Sequence, residues 1–176
     1  MTFRLADSLP RSISVPARHG AGPSAERRCI IEDALDAGHG SCALGNPVIA
    51  RLVEAALLHF DGSRYRLLAW TVMPNHVHAL IQTVPGHALC AVVQSWKSFT
   101  AKQVRRIAPG PSRFWQPEYF DRYVRNDRHL AAVMTYIEAN PVKAGLCAAP
   151  EDWPFGSACR RREARSAGVS PADARW

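Results

Sequence analysis

Residues 61–83 constrain the fold more than any other stretch of this chain. Tyr65 to Met73 is a mostly apolar run rich in aromatic and β-branched side chains, Pro74-Asn75 supplies a turn, and His76 to Gln82 alternates. Successive side chains of a strand point to opposite faces, so Val77, Ala79 and Ile81 share one face while His76, His78 and Leu80 share the other. Two such runs joined by a tight turn predict an antiparallel hairpin, with Asp61-Gly62 ending whatever precedes it.

Helical patterns flank this hairpin. Asn46-Pro47 reads as an N-cap followed by proline at the first helical position, and Ile49, Leu52, Val53, Ala56, Leu57 and Phe60 then recur at helical spacing. A second helix is predicted from Ala88 to Ile107, with Val92, Val93, Trp96, Phe99, Gln103, Val104 and Ile107 inward and Lys97, Lys102, Arg105 and Arg106 off that stripe, toward solvent or a phosphate backbone; Pro109-Gly110-Pro111 should stop it. A third is expected after Asn126-Asp127, carried by Leu130, Val133, Met134 and Ile137 and terminated by Asn140-Pro141. Two strands beside long helices, with neither a G-x-G-x-x-G nor a P-loop pattern, favour an α+β sandwich over a nucleotide-binding parallel sheet.

The chain reads as one domain over residues 1–176, least legible in residues 1–47. There Met1 to Leu5 suits a short strand, Ser12 to Ser24 is broken by Pro16, Gly20, Gly22 and Pro23, and Cys29 to Ala37 suits a short helix ended by Gly38-His39-Gly40. The tail from Arg160 to Trp176 is Arg- and Ala-rich and expected to fray.

Twenty-two Lys and Arg against 15 Asp and Glu give a formal charge of +7, and the pI is near 9.6, which makes a polyanion the first partner to consider. The five cysteines, Cys29, Cys42, Cys90, Cys147 and Cys159, form no C-x-x-C pair and are expected to be reduced thiols, neither a disulfide framework nor a zinc ribbon. No run approaches the roughly 18 apolar residues of a membrane span. Met1 leads into Thr2-Phe3-Arg4-Leu5-Ala6-Asp7 without the apolar core of a signal peptide, so a bacterial cytoplasmic, nucleoid-associated setting is expected.

His76-Val77-His78 is the sharpest local motif. Both imidazoles point to one face and can meet one divalent cation, while the same spacing also suits a plain solvated strand face. Tyr136 and Asn140 lie four apart on one helical face. The tyrosine hydroxyl can serve as a nucleophile and the Asn140 amide oxygen can complete a two-His, one-oxygen metal site; alternatively Tyr136 packs at the core edge and Asn140 caps the helix. A cation on two imidazoles would act as a Lewis acid on a phosphodiester, whose negative charge otherwise repels nucleophiles. Lys97, Lys102, Arg105, Arg106, Arg122, Arg125 and Arg128 are candidates for phosphate contacts, and Tyr119 and Tyr123 for stacking on unpaired bases; Trp115 and Phe120 read as core, and His129 as exposed.

These pieces occur in a recognisable order: Ala69-Trp70-Thr71-Val72-Met73-Pro74-Asn75-His76-Val77-His78, then Trp96-Lys97-Ser98-Phe99-Thr100, then Phe114-Trp115-Gln116-Pro117-Glu118-Tyr119-Phe120-Asp121-Arg122, then Tyr136-Ile137-Glu138-Ala139-Asn140-Pro141-Val142-Lys143-Ala144-Gly145-Leu146, and finally Glu151-Asp152-Trp153-Pro154. Over residues 48–158 the series closely resembles the REP-associated tyrosine transposases, relatives of the single-strand insertion-sequence transposases with an HUH motif. The resemblance implies a ferredoxin-like antiparallel sheet with helices packed on one side, HUH histidines at His76 and His78, the catalytic tyrosine at Tyr136 and an extra metal ligand at Asn140. It further implies binding of single-stranded hairpin DNA, with cleavage and rejoining through a 5′-phosphotyrosine using Mg²⁺ or Mn²⁺. Both a homodimer and a monomer are compatible with it.

Three features depart from the family pattern: Met1 stands almost inside the first strand, Ser12 to Ser24 replaces an expected helical stretch, and Gly156 stands where a serine commonly follows the Trp-Pro pair. Two other functions remain open at the level of sequence. One is a DNA-hairpin or RNA-binding module without catalysis; the other is a zinc-dependent phosphohydrolase using the same histidines and water.

Overall fold

In the computed structural model, which describes residues 1–10, 12–13, 25–108 and 113–168, the hairpin forms as expected. Strands β2 (Tyr65–Val72) and β3 (His76–Thr83) pair antiparallel, with Val72 opposite Val77 and Tyr65 opposite Thr83. A bulge between Leu67 and Ala69 shifts the register once. Strand β1 (Thr2–Arg4) pairs antiparallel with the free edge of β3, Phe3 opposite Val77, giving the order β1-β3-β2.

Outside β1 runs an irregular segment, 113–120, joined to it by antiparallel bridges at Leu5–Trp115 and Thr2–Phe120. Thr2 and Phe120 exchange both backbone hydrogen bonds, at 2.7 and 2.8 Å. This segment fills the position of a fourth strand, so the order (113–120)-β1-β3-β2 is that of a ferredoxin-like sheet, and the expected α+β class holds.

Helix α1 spans Ala25–Asp36, α2 Pro47–Leu58, α3 Leu89–Ile107, α4 Asp127–Lys143 and α5 Ser157–Ser166. Asn46 caps α2 as the sequence suggested, its side chain accepting from Val48 N at 2.9 Å. Helices α2 and α3 cover one sheet face: Ile49, Val53, Leu57, Val92, Val93 and Trp96 close over Phe3, Val77, Ala79, Trp70 and Val72. Helix α4 adds a cover to the other face, where Ile137, with Leu130, Val133 and Met134 partly buried, packs on Ala69 and Leu80. The two imidazoles of the H-x-H motif belong to that second face.

Several expectations are corrected. On α3, Phe99 and Ile107 are exposed at 49% and 50%, whereas Lys97 and Thr100 are buried. Phe99 lies about 100° from the centre of the buried stripe at 3.6 residues per turn, and Ile107 stands in the last turn. Lys97 buries its methylene stem and donates from Nζ to the carbonyls of Gln116 (2.6 Å) and Pro117 (2.7 Å), which ties α3 to the outer segment. It therefore does not point to solvent, and its ammonium is already engaged.

Asn140-Pro141 does not end α4, which continues to Lys143 with Pro141 inside it. A proline this near a C-terminus removes a single ladder bond, and the helix stops instead at Gly145 in the left-handed region (φ 70). Residues 160–166, expected to fray, are helical because their arginines find partners. Arg160 pairs with Glu54 at 3.1 Å, Arg162 with Asp152 at 3.1 Å, and Arg161 with Glu138.

Helix α1 begins at Ala25, earlier than Cys29. Beyond it Gly40 is required, because a Cβ there would stand 2.4 Å from the Asp7 carbonyl oxygen. Most of the Ser12–Ser24 stretch and the stop at Pro109-Gly110-Pro111 lie outside the described residues. All five cysteines are free. Among the described residues no helix is long and apolar enough to cross a membrane.

Glu54 on α2 is a buried carboxylate that accepts from Trp70 Nε1 of β2 (3.1 Å) and from Arg160 of α5. Replacing it with alanine deprives both donors of this acceptor and is expected to lower unfolding stability by about 2 kcal/mol. Urea denaturation of the Glu54→Ala protein checks this; a loss under about 0.5 kcal/mol would assign the strut no energetic role.

Candidate metal and tyrosine site

The β3 register places His76 and His78 side by side on the α4 face, with their Nε2 atoms 3.0 Å apart. Each outer nitrogen is held. His76 Nδ1 lies 2.7 Å from Asn75 Oδ1, and Asn75 is itself fixed by donating from Nδ2 to the Leu35 and His39 carbonyls, both at 3.1 Å. Because that amide nitrogen is spent as a donor, Oδ1 accepts from His76 Nδ1–H, which leaves the Nε2 lone pair facing the site. His78 Nδ1 lies 2.7 Å from the Thr2 hydroxyl. A hydroxyl can donate or accept, so it supports either His78 tautomer: one that donates from Nε2 to His76, and one that turns a second lone pair inward.

Both rings are buried, and burial keeps them neutral. It lowers His76 to a pKa of about 3, with the charge of Lys143 acting in the same direction. His78 is likewise held well below the ordinary range by burial, then by His76, the Met1 ammonium and Lys143.

Helix α4 brings its own residues over this pair. The Tyr136 ring stands edge-on to His78, with centroids 5.8 Å apart, and remains 38% exposed. Burial of its hydroxyl raises the pKa above that of a free phenol, and the Glu32 carboxylate raises it further. One turn on, Asn140 donates from Nδ2 to the Tyr136 carbonyl at 2.7 Å. Its Oδ1 is buried and has no hydrogen-bond partner among the described residues. A buried amide oxygen without a donor is costly unless something electropositive completes it.

These residues fit a divalent cation. They offer two neutral imidazole nitrogens with oriented second partners and an unpaired oxygen on the overlying helix. Neighbouring ligands in an octahedral Mg²⁺ or Mn²⁺ shell at about 2.1 Å stand about 3.0 Å apart, close to the observed separation of the two Nε2 atoms. No three His, Cys, Asp or Glu side chains converge as a ready-made site among the described residues, so the unpaired Oδ1 of Asn140 is the candidate for a third protein ligand.

The sequence-predicted basic residues fall into two groups. Lys102, Arg105 and Arg106 are exposed on α3, which covers the sheet face opposite the histidines. Arg122, Arg125 and Arg128 are exposed on the approach to α4, following Phe120 and hence the β1 edge that carries Thr2. Tyr123 among them is 87% exposed, while Trp115 is buried in the core as expected. Sequence reasoning missed Thr2, Glu32, Asp36 and Lys143 as site residues and treated Asn75 only as a turn. The i, i+4 spacing of Glu32 and Asp36 carries no meaning for the site without knowing that α1 docks against α4; the adjacency of Asn75 to His76 was the available signal.

Residues 44–140 match the family described as Transposase IS200 like. The chain is 31% identical over 109 residues to the REP-associated tyrosine transposase of Escherichia coli (strain K12), covering 62% of each chain. It is 27% identical over 103 residues to a relative from Haemophilus influenzae, covering 53% of this chain and 58% of that one. The match thus spans less than two thirds of each relative's length. A solved structure described as a REP-associated tyrosine transposase bound to a REP hairpin superposes with a TM-score of 0.60 at 19% identity, covering 98% of this chain and 81% of that one; the likeness is one of fold.

Proposed function

We propose, on the premise that this chain belongs to the IS200-like transposase family, that it is a metal-assisted transesterase that cuts and rejoins single-stranded hairpin DNA through Tyr136. The observation that carries this reading is the convergence on one sheet face of two buried, neutral imidazoles with Tyr136 set against one of them. The match of residues 44–140 to a transposase family and a relative's structure described with a REP hairpin support DNA as the substrate.

Tyr136 Oη attacks phosphorus from the helix face. A bond forms between Oη and the 5′-phosphate, the bond to the 3′-oxygen breaks, and the phenolic proton is made good on the released 3′-hydroxyl. No hydrolysis occurs, so the reverse attack by a 3′-hydroxyl reseals DNA without a nucleotide cofactor. His76, His78 and Asn140 are the residues that would hold Mg²⁺ or Mn²⁺, which when bound supplies Lewis-acid stabilisation of charge on the phosphoryl and leaving oxygens. Asn75 and Thr2 keep the imidazoles oriented, and α4 holds the phenol in place against His78. Arg122 and Arg125, exposed on the segment that leads into α4, would position the DNA strand through its phosphates.

The test is to incubate the protein with a labelled DNA hairpin carrying single-stranded flanks, with Mn²⁺ or EDTA, and resolve the products under denaturing conditions. A Mn²⁺-dependent protein–DNA adduct is expected, with the phosphate on the α4 peptide that contains Tyr136. Hydrolysed DNA without adduct would favour a phosphohydrolase, and binding without either product would favour a non-catalytic module.

A further inference from the structure

Tyr136, Asn140 and Lys143 follow one another at i, i+4 and i+7, so they line one stripe of α4. The third of them has a role that the reaction above does not use. Lys143 Nζ is held by Asp36 at 2.9 Å and by Asp33 at 3.5 Å, both from α1. From the same helix Glu32 bears on the Tyr136 hydroxyl. Three carboxylates of one helix therefore engage the cation and the nucleophile that a phosphodiester would have to meet.

We propose that Lys143 is a phosphate-contacting residue of the transesterase site, and that α1 masks it with carboxylates standing in for DNA phosphates. The inference rests on the single-strand transesterase reading. Its chemistry is exchange of like for like: an ammonium that satisfies carboxylate oxygens satisfies phosphate oxygens equally well, and both ligands are anions that cannot share the place. Lys143 shares its stripe of α4 with Tyr136, which stands against His78, and its charge acts on both histidines, so a phosphate bound to it lies on the side of the helix that faces the site.

The mask is built to come off. Helix α1 is seated in a small apolar cluster of its own, Leu9, Ala34 and Leu35 with Ile13 and Ile31, separate from the main core. Toward the site it is held by the Lys143 ion pairs, by Glu32 on the Tyr136 hydroxyl and by the carbonyl of Leu35 on Asn75. Asp33 and Lys143 are about half exposed or more, so that ion pair can be traded without rebuilding the core, whereas the Asp36 side chain is only 12% exposed and gives up Lys143 as α1 shifts. Non-phosphorylated anions gain little by entering, whereas a DNA strand replaces each displaced carboxylate with a phosphate.

The test measures binding of a labelled single-stranded hairpin oligonucleotide to the full-length protein in EDTA across a salt series. Asp33→Asn/Asp36→Asn is expected to bind about tenfold more tightly. Glu26→Gln/Glu163→Gln, the same charge change at exposed positions away from Lys143, is expected to gain clearly less. Lys143→Gln should flatten the log–log salt slope by about 0.7, and Lys143→Arg should restore it. If Asp33→Asn/Asp36→Asn binds no better than that control while its unfolding midpoint falls, the ion pairs are only a tether and the proposal is overturned; Asp33→Asn alone repeats the comparison with the buried Asp36 intact. An unchanged slope for Lys143→Gln overturns it as well. Absence of a wild-type adduct with Mn²⁺ would instead refute the transesterase reading, a separate result read on a separate gel.

Discussion

A Tyr136→Phe protein is expected to form no covalent adduct with hairpin DNA, a loss of at least about 10³-fold, while its affinity for the same DNA stays within about twofold. The substitution removes one oxygen and keeps the ring that stands edge-on to His78, so the imidazole pair and the seat of α4 on Ala69 and Leu80 are undisturbed. The hydroxyl pKa is raised by burial and by Glu32, so the resting group is a phenol and the phenolate character has to develop during attack. A water-using phosphohydrolase built on the same histidines would continue to cleave in the Phe variant, because its nucleophile is not a side chain. Denaturing gels for adduct and native titrations for binding separate the outcomes; sustained cleavage by Tyr136→Phe would sink the tyrosine mechanism.

What was legible in the sequence was local. Asn46-Pro47 announces α2 because capping is decided within three residues, and the alternation from His76 to Gln82 assigns each side chain to a face without knowledge of what covers that face. Lys97 shows the limit. Its burial depends on the carbonyls of Gln116 and Pro117, which a helical wheel does not contain. Pro141 misled for a related reason: its cost depends on how many turns follow it, and Gly145 sets that. Arg160, Arg161 and Arg162 looked like a loose basic tail because their partners Glu54, Glu138 and Asp152 are remote in sequence or on another element. In the site, His76, His78, Tyr136 and Asn140 were singled out from motif and spacing. Thr2, Glu32 and Asp36 were not, since nothing in residues 1–47 indicates that β1 borders His78 and that α1 lies against α4.

Acid is expected to destabilise this protein through its histidine pair. Burial lowers His76 in the folded state to about 3, against about 6.5 in the unfolded chain. Between those values the unfolded state binds a proton that the folded state refuses, so stability falls as pH falls through the window and is fully present above pH 6.5. One such group gives a slope of up to about 1.4 kcal/mol per pH unit. His78 is shifted in the same direction, and the two share one Nε2–Nε2 contact, so they titrate as a pair rather than independently. Urea unfolding in EDTA from pH 7.5 to 5, above the range where most carboxylates protonate, should therefore show a plateau followed by a loss that sets in near pH 6.5 and that His76→Asn/His78→Asn largely abolishes. Stability that is level or rises toward pH 5 would mean that the rings are paired with negative charge or open to water. The same low basicity bears on function: imidazoles that carry no proton at pH 6 surrender none to a cation, so stabilisation by Mn²⁺ should be nearly independent of pH between 6 and 8.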